Sequence, residues 1–196
     1  MNHKKNFYYS LACLVLAIFL IAATPGAESN RQNHCYSLLS PINENSGDFS
    51  QVLESKCFDS FSESIRAATK GRVQLDHTIQ PEAVTEYMLN GGAEKDLADV
   101  QVVIGIDWDY TNFAGSSYTW VVSNNGCSSS IQYSISSMPA GWDNRVSSAR
   151  AYSNCNYYYH YQTTNYGGSS VVCNTECSTM GSLDNATSSE KWTYIP

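Results

Sequence analysis

Two stretches of this chain are nearly the same, 53 residues apart. WDYTNFAGSSY begins at Trp108 and YQTTNYGGSSV at Tyr161. Overlaid, Trp108 meets Tyr161, Asn112 meets Asn165, Phe113 meets Tyr166 and Gly115 meets Gly168, and two serines follow each glycine. Downstream of each lies a second shared phrase, Asp143-Asn144-Arg145-Val146-Ser147-Ser148 and then Asp184-Asn185-Ala186-Thr187-Ser188-Ser189. The approaches, SSMPAGW and STMGSL, are alike as well. Two features repeating in the same order point to two copies of one supersecondary unit, which confines the region to a duplicated architecture.

Each half of the unit has a physical reading. An aromatic, five residues further on a second aromatic, then x-Gly, fits a tight folded hairpin. There the glycine takes a backbone angle that other residues resist, and the aromatics pack across the turn. Around it, residues 101–196 are dense in Tyr, Val, Ser, Thr, Trp and Gly, with turn signals at short intervals, and read as all-β. VVIGIDW, SSYTWVVS, IQYSISSM, ARAY, YYYHYQ and SSVVC are the strand candidates. Asp-Asn-x-x-Ser-Ser on its own is a common turn composition, because such side chains bond nearby backbone. It also fits a loop whose oxygens turn inward around a hard cation. Ca²⁺ asks for six to eight oxygens, more than one loop supplies, so a second loop from the other copy, plus water, would complete the shell.

Hairpin, Asp-Asn phrase, hairpin, Asp-Asn phrase resembles the paired Greek-key motifs of the βγ-crystallin superfamily. The phrase is similar to that family's calcium signature, Asn/Asp-Asn/Asp-x-x-Ser/Thr-Ser, and both copies are intact. The resemblance covers about residues 101–193. Secreted microbial single-domain crystallins share this architecture, among them a small metalloproteinase inhibitor family. The resemblance implies a two-motif Greek-key sandwich with two calcium sites. Ser147 and Ser188 would give hydroxyl oxygens, Arg145 and Ala186 main-chain carbonyls, and Asp143, Asn144, Asp184 and Asn185 side-chain oxygens. The opposite hairpins would complete the loops near Asp109 and Gln162. Family hairpins often carry an acidic residue where Gln162 stands, so that site is expected to be the weaker. Ser148 and Ser189 are expected to hold the loops by hydrogen bonds.

The remainder is organised differently. Residues 1–27 combine a short basic start, MNHKKN, with the apolar run FYYSLACLVLAIFLIAA and a small polar exit, and read as a secretory signal peptide. Cleavage fits after Ala23 or Ala27; the alternative is a membrane anchor, since the apolar run is nearly long enough to span a bilayer. Without the leader, nine basic residues face 18 acidic ones, a net charge near −9. That argues against nucleic-acid binding and suits a soluble exported monomer that attracts cations. Residues 28–100 hold most of the acidic groups and the helix patterns, and read as a small α+β region of unassigned type. A helix starts at Asp59 or Ser60 and stops at Gly71, with Phe58, Phe61, Ile65 and Ala68 on one side. A second is expected in PEAVTEYMLNGG, with Pro81 in its first turn.

Six cysteines remain after the leader, an even number that in an exported chain signals disulfides. Six allow 15 connectivities; local pairing is the expectation, Cys35–Cys57, Cys127–Cys155 and Cys173–Cys177. Zinc at Cys173-x-x-x-Cys177 lacks a second Cys/His pair. His160 is expected to be a half-buried strand residue, and half of the NYYYHYQ rings should point into the core. Asn185-Ala186-Thr187 is also a glycosylation sequon. No nucleophile elbow or metalloprotease helix motif is present, so catalysis is not expected. The function expected is calcium binding that stabilises a secreted domain. The alternatives are a secreted peptidase inhibitor, with a protease as partner, and a surface adhesion or carbohydrate-binding module.

Overall fold

The computed structural model describes residues 33–42, 49–91, 100–123 and 126–196, so the expected leader lies outside the described residues. No helix among the described residues is long and apolar enough to cross a membrane. Ten strands, β1 (His34–Leu39), β2 (Val52–Phe58), β3 (Gln101–Tyr110), β4 (Ala114–Ser123), β5 (Tyr133–Ile135), β6 (Ser148–Ala151), β7 (Tyr157–Thr163), β8 (Gly167–Asn174), β9 (Glu176–Cys177) and β10 (Ser189–Thr193), form two sheets. Their orders are β2-β1-β4-β3-β6-β9 and β5-β10-β7-β8.

The duplication is visible in that order. In the first unit β3 and β4 form a hairpin, β5 crosses to the other sheet, and β6 returns beside β3. In the second, β7 and β8 form a hairpin, β9 crosses over, and β10 returns beside β7. The two runs, β4-β3-β6-β9 and β8-β7-β10-β5, are the same pattern with the units exchanged. Each unit is a Greek key that lends its third strand to its twin, and this is the βγ-crystallin-like fold.

Between the sheets lies the main core, with Tyr118, Trp120, Tyr133, Tyr158 and Trp192 all within 2% of full burial. Trp120 and Trp192 meet at 5.2 Å between ring centroids, and Tyr158 stacks on Trp192 at 4.8 Å. Strand alternation sends Tyr158 inward and leaves Tyr157, Tyr159 and Tyr161 half-exposed on the outer face. A second core covers the other face of the first sheet, where α1 (Phe61–Ala68) lays Phe61, Ile65 and Ala68 on Val103, Ile106, Trp108 and Val121. Ile65 is fully buried there, a burial that contributes about 1.5–3 kcal/mol.

The compositional change near residue 100 is not a break in packing. Residues 31–196 form one compact unit, and β1 adds to the first sheet parallel to β4, with Cys35 beside Tyr118. Cys35 lies opposite Cys57 in the β1–β2 hairpin, and the disulfide joins those strands; α1 follows directly. Cys127–Cys155 and Cys173–Cys177 are the other two bridges, which rules out zinc at the close pair and belongs to an oxidising compartment. Helix α1 has Ser60 as its N-cap, and Gly71, at φ +82°, takes the left-handed angle expected past the end. The second helix is shorter than its pattern: Pro81–Ala83 form a 3₁₀ turn, Val84 is extended, and α2 (Glu86–Asn90) begins only after Thr85. Thr85 caps it by accepting from the Met88 amide, so a local cap outcompetes the continuous helix. IQYSISSM supplies only three strand residues, Tyr133–Ile135.

Candidate metal centre

The two hairpins are built alike in detail. Asn112 and Phe113 have φ of 59° and 62°, and Asn165 and Tyr166 have 55° and 61°. Gly115 and Gly168 follow at φ 87° and 74°. A side chain at Gly115 would fall on the Asp109 carboxylate, and one at Gly168 would lie 2.9 Å from Gln162 Cβ. The glycines are therefore fixed by space as well as by angle. Trp108 meets Phe113 edge-on at 5.3 Å, and Tyr161 meets Tyr166 edge-on at 5.6 Å.

A serine from each returning strand locks the fold of the hairpin. Ser148 Oγ donates to the Tyr110 carbonyl at 2.7 Å and accepts from the Phe113 amide at 2.9 Å. Ser189 Oγ does the same with the Thr163 carbonyl at 2.7 Å and the Tyr166 amide at 3.0 Å. The last serine of each phrase thus serves the hairpin.

The two Asp-Asn phrases lie side by side. The Asn144 amide donates to the Thr187 carbonyl, and the Asn185 amide to the Val146 carbonyl. Both asparagines sit in the left-handed region, at φ 57° and 53°, which short polar side chains tolerate. The amides of Ser147 and Ser188 bond the Trp108 and Tyr161 carbonyls, tying each loop to its own hairpin. Asn144 Oδ1 and Ser188 Oγ come within 3.4 Å of one another across the two loops. Asp143, Asn144, Asp184 and Asn185 are exposed, Arg145 and Ala186 are half-buried, and Ser147 and Ser188 are buried. Oxygen donors from both repeats therefore meet at a rim open to solvent. Thr187, the sequon's hydroxyl residue, is fully buried.

The hairpin partners differ. Asp109 Oδ1 accepts from the Ser116 amide at 2.7 Å, and Gln162 Oε1 from the Ser169 amide at 3.3 Å, in equivalent positions. Asp109 Oδ2 is held in addition by Arg145, whose Nη2 lies 2.7 Å away and also donates to Ser116 Oγ at 3.0 Å. The equivalent of Arg145 in the second loop is Ala186, which carries no charge.

A different cluster lies inside the sandwich. Asp107 on β3, Tyr158 and His160 on β7 and Glu190 on β10 are all fully buried, so His160 is not the half-buried residue expected. Tyr158 Oη stands 2.8 Å and 2.7 Å from the two Asp107 oxygens and 2.8 Å from Glu190 Oε2. Trp120 Nε1 donates to Asp107 Oδ2 at 2.7 Å, and His160 Nδ1 lies 3.0 Å from Glu190 Oε1. Burial pushes Glu190 up to about 8 and Asp107 well above the carboxylate range, and lowers His160 to about 4. Inward positions were readable from strand alternation, but the convergence of three ionisable groups from strands 30 to 83 positions apart was not. Elsewhere, an open cleft of about 650 Å³ runs between the Glu82–Glu86 turn and residues 150–156, over Arg150 and Tyr152. None of the expected calcium ligands lines it.

No family model matches the chain, and no curated protein matches it. Among solved structures it is similar to a βγ-crystallin from an archaeon, at 20% identity and TM-score 0.34, over 46% of this chain and 96% of that one. It is also similar to the N-terminal domain of protein S, at 16% identity and TM-score 0.35, over 47% of this chain and 98% of that one. A βγ-crystallin domain from Flavobacterium johnsoniae matches at 21% identity and TM-score 0.31, over 46% of this chain and 94% of that one.

Proposed function

We propose that this chain is an exported calcium-binding protein in which the paired Asp-Asn loops hold Ca²⁺ and stabilise the Greek-key sandwich. The observation that carries this reading is the approach of Asn144 Oδ1 to Ser188 Oγ, one donor from each repeat. That separation suits two ligands sharing one hard cation, and the exposed Asp143 beside them adds a carboxylate. Ala186 would contribute its carbonyl and Gln162 its amide oxygen to the same loop pair. The mirror set is Ser147, Asp184, Asn185, the Arg145 carbonyl and Asp109. Bound calcium would neutralise the exposed aspartates and reinforce the bridge between loops already joined by two main-chain bonds and the Ser188–Asn144 side-chain contact.

A ligand that binds only the folded state raises its stability by RT ln(1 + [L]/Kd), about 2.7 kcal/mol at 100 times Kd. The test is calorimetric titration with Ca²⁺ beside melting curves in calcium and in EGTA. Binding heat and a lower Tm in EGTA are expected, and Ser188→Arg should remove the Asn144–Ser188 site. A melting curve indifferent to calcium, with no heat on titration, sinks the reading.

A further inference from the structure

The interior cluster needs an explanation of its own, because nothing in the loop sites uses it. Two carboxyls, an imidazole and a phenol occupy positions between the sheets where the strand pattern calls for apolar side chains. Each is 0% exposed. Among the described residues, no lysine or arginine forms an ion pair with Asp107 or Glu190. Burying ionised carboxylates without a counter-charge costs several kcal/mol each.

Counting protons sharpens the problem. Four carboxylate oxygens face three donors: the Trp120 indole, the Tyr158 hydroxyl and the His160 imidazole. The phenol has one proton, yet its oxygen lies within 2.8 Å of three carboxylate oxygens. Either the carboxyls hold protons of their own, as their raised pKa values allow, or a cation sits among them. A closed hydrogen-bond network would answer with protons alone and leave no loose ends. This one keeps a loose end: among the described residues, His160 Nε2 is buried without a partner.

We propose that Asp107, Glu190 and His160 form a buried structural site for one divalent transition ion, zinc being the type that fits best. One ligand atom from each of the three lies within 4.8 Å of the others. Two carboxylates and a neutral imidazole around a dication sum to zero charge, the condition that a fully buried site imposes. A mixed nitrogen and oxygen set of low coordination suits Zn²⁺, whereas Ca²⁺ asks for six or more oxygens. Tyr158 and Trp120 then act as the surrounding donors that orient the carboxylates. As the ion enters, each carboxyl releases its proton to solvent. Asp107 comes from one sheet and His160 and Glu190 from the other, so the ion fastens the sheets together from within. It enters as the chain folds and leaves only when the sandwich opens.

That last property separates it from the surface loops. The protein is refolded with Zn²⁺, dialysed against EGTA and metal-free buffer, and its metal content measured by mass spectrometry. About one zinc per chain should survive and appear to a colorimetric chelator only when guanidinium unfolds the protein. Refolding with Co²⁺ instead should give visible ligand-field absorption. The isosteric variants Glu190→Gln and Asp107→Asn should each lose the ion. Wild type that retains neither Zn²⁺ nor Co²⁺ overturns the proposal, and so does an ion that dialysis removes or that both variants keep. Should the variants not fold, the wild-type retention and the cobalt spectrum decide.

Discussion

Arg145 clamps Asp109. Its Nε and Nη2 lie 3.3 Å and 2.7 Å from the same oxygen, Oδ2, and its Nη1 reaches the Gly141 carbonyl at 3.2 Å. The guanidinium also lies over the Trp142 ring, 4.9 Å from its centroid. A built-in cation thus already engages the one acidic hairpin partner. The Gln162 hairpin has no acid, but no guanidinium competes there either. Replacing Arg145 by Gln is expected to tighten calcium at the Asp109 loop at least several-fold. The stability cost should be below about 1 kcal/mol, because Arg145 is partly exposed and such pairs are screened. Calorimetry on Arg145→Gln checks this, and an unchanged isotherm refutes it.

The two adjacent serines of each phrase should separate cleanly by measurement. Ser148→Ala and Ser189→Ala each strip a hairpin of a donor and an acceptor, leaving a main-chain amide and carbonyl unmatched. Each should cost about 1–3 kcal/mol in urea unfolding, with or without calcium. Ser147→Ala and Ser188→Ala spare those bonds and should act chiefly on calcium affinity. Equal stability losses across all four in EGTA would contradict this division.

His34 gives the folded chain an acid limit. It is buried against Phe61, with Nδ1 2.9 Å from Ser117 Oγ, and burial lowers its pKa to about 4. A histidine depressed in the folded state contributes stability that is full above its ordinary value near 6.5 and is lost as pH falls toward 4. The loss should reach a few kcal/mol, at about 1.4 kcal/mol per pH unit across that window. His34→Gln should make this limb of a stability-versus-pH curve shallower, the remainder belonging to His160, which burial also lowers to about 4, and a curve of unaltered slope counts against it.

The disulfides should rank by loop length. Cys35–Cys57 closes a separation of 22 residues and Cys173–Cys177 one of 4. By chain entropy their removal as paired serine variants should cost about 3 and about 2 kcal/mol respectively. Chemical unfolding of the two pairs tests the order, and a reversed ranking contradicts it.

What could be read from the chain follows from how local each signal is. The hairpins were legible because space and backbone angle restrict their glycines within an eleven-residue span, twice over. The serine and asparagine positions followed from the same duplication. Other features depend on partners that no local pattern names. The parallel seat of β1 beside β4 joins residues more than 80 apart. The gap between Pro81–Ala83 and α2 turns on a threonine cap that helical spacing does not reveal. The loop signature gives Arg145 a part only through its carbonyl, while its side chain reaches Asp109, 36 residues back. The Asp107, His160 and Glu190 cluster is the strongest case, since each residue sits in an ordinary strand context and only the sandwich brings them together.

The added hairpin has a bearing on how this molecule keeps to itself. In the duplicated units alone, β4 and β8 would be the long end strands of the two sheets, rims of unpaired main-chain groups of the kind that recruit other chains. β1 covers the rim of β4, and the border passes outward to β2, where Lys56 and Glu54 are ion-paired at the surface. Charged side chains on a border strand discourage a second chain from docking there. One rim has therefore been traded for a guarded one, while no strand among the described residues pairs with the outer edge of β8. Any filament or strand-exchanged dimer this protein forms under stress should begin from the β8 side.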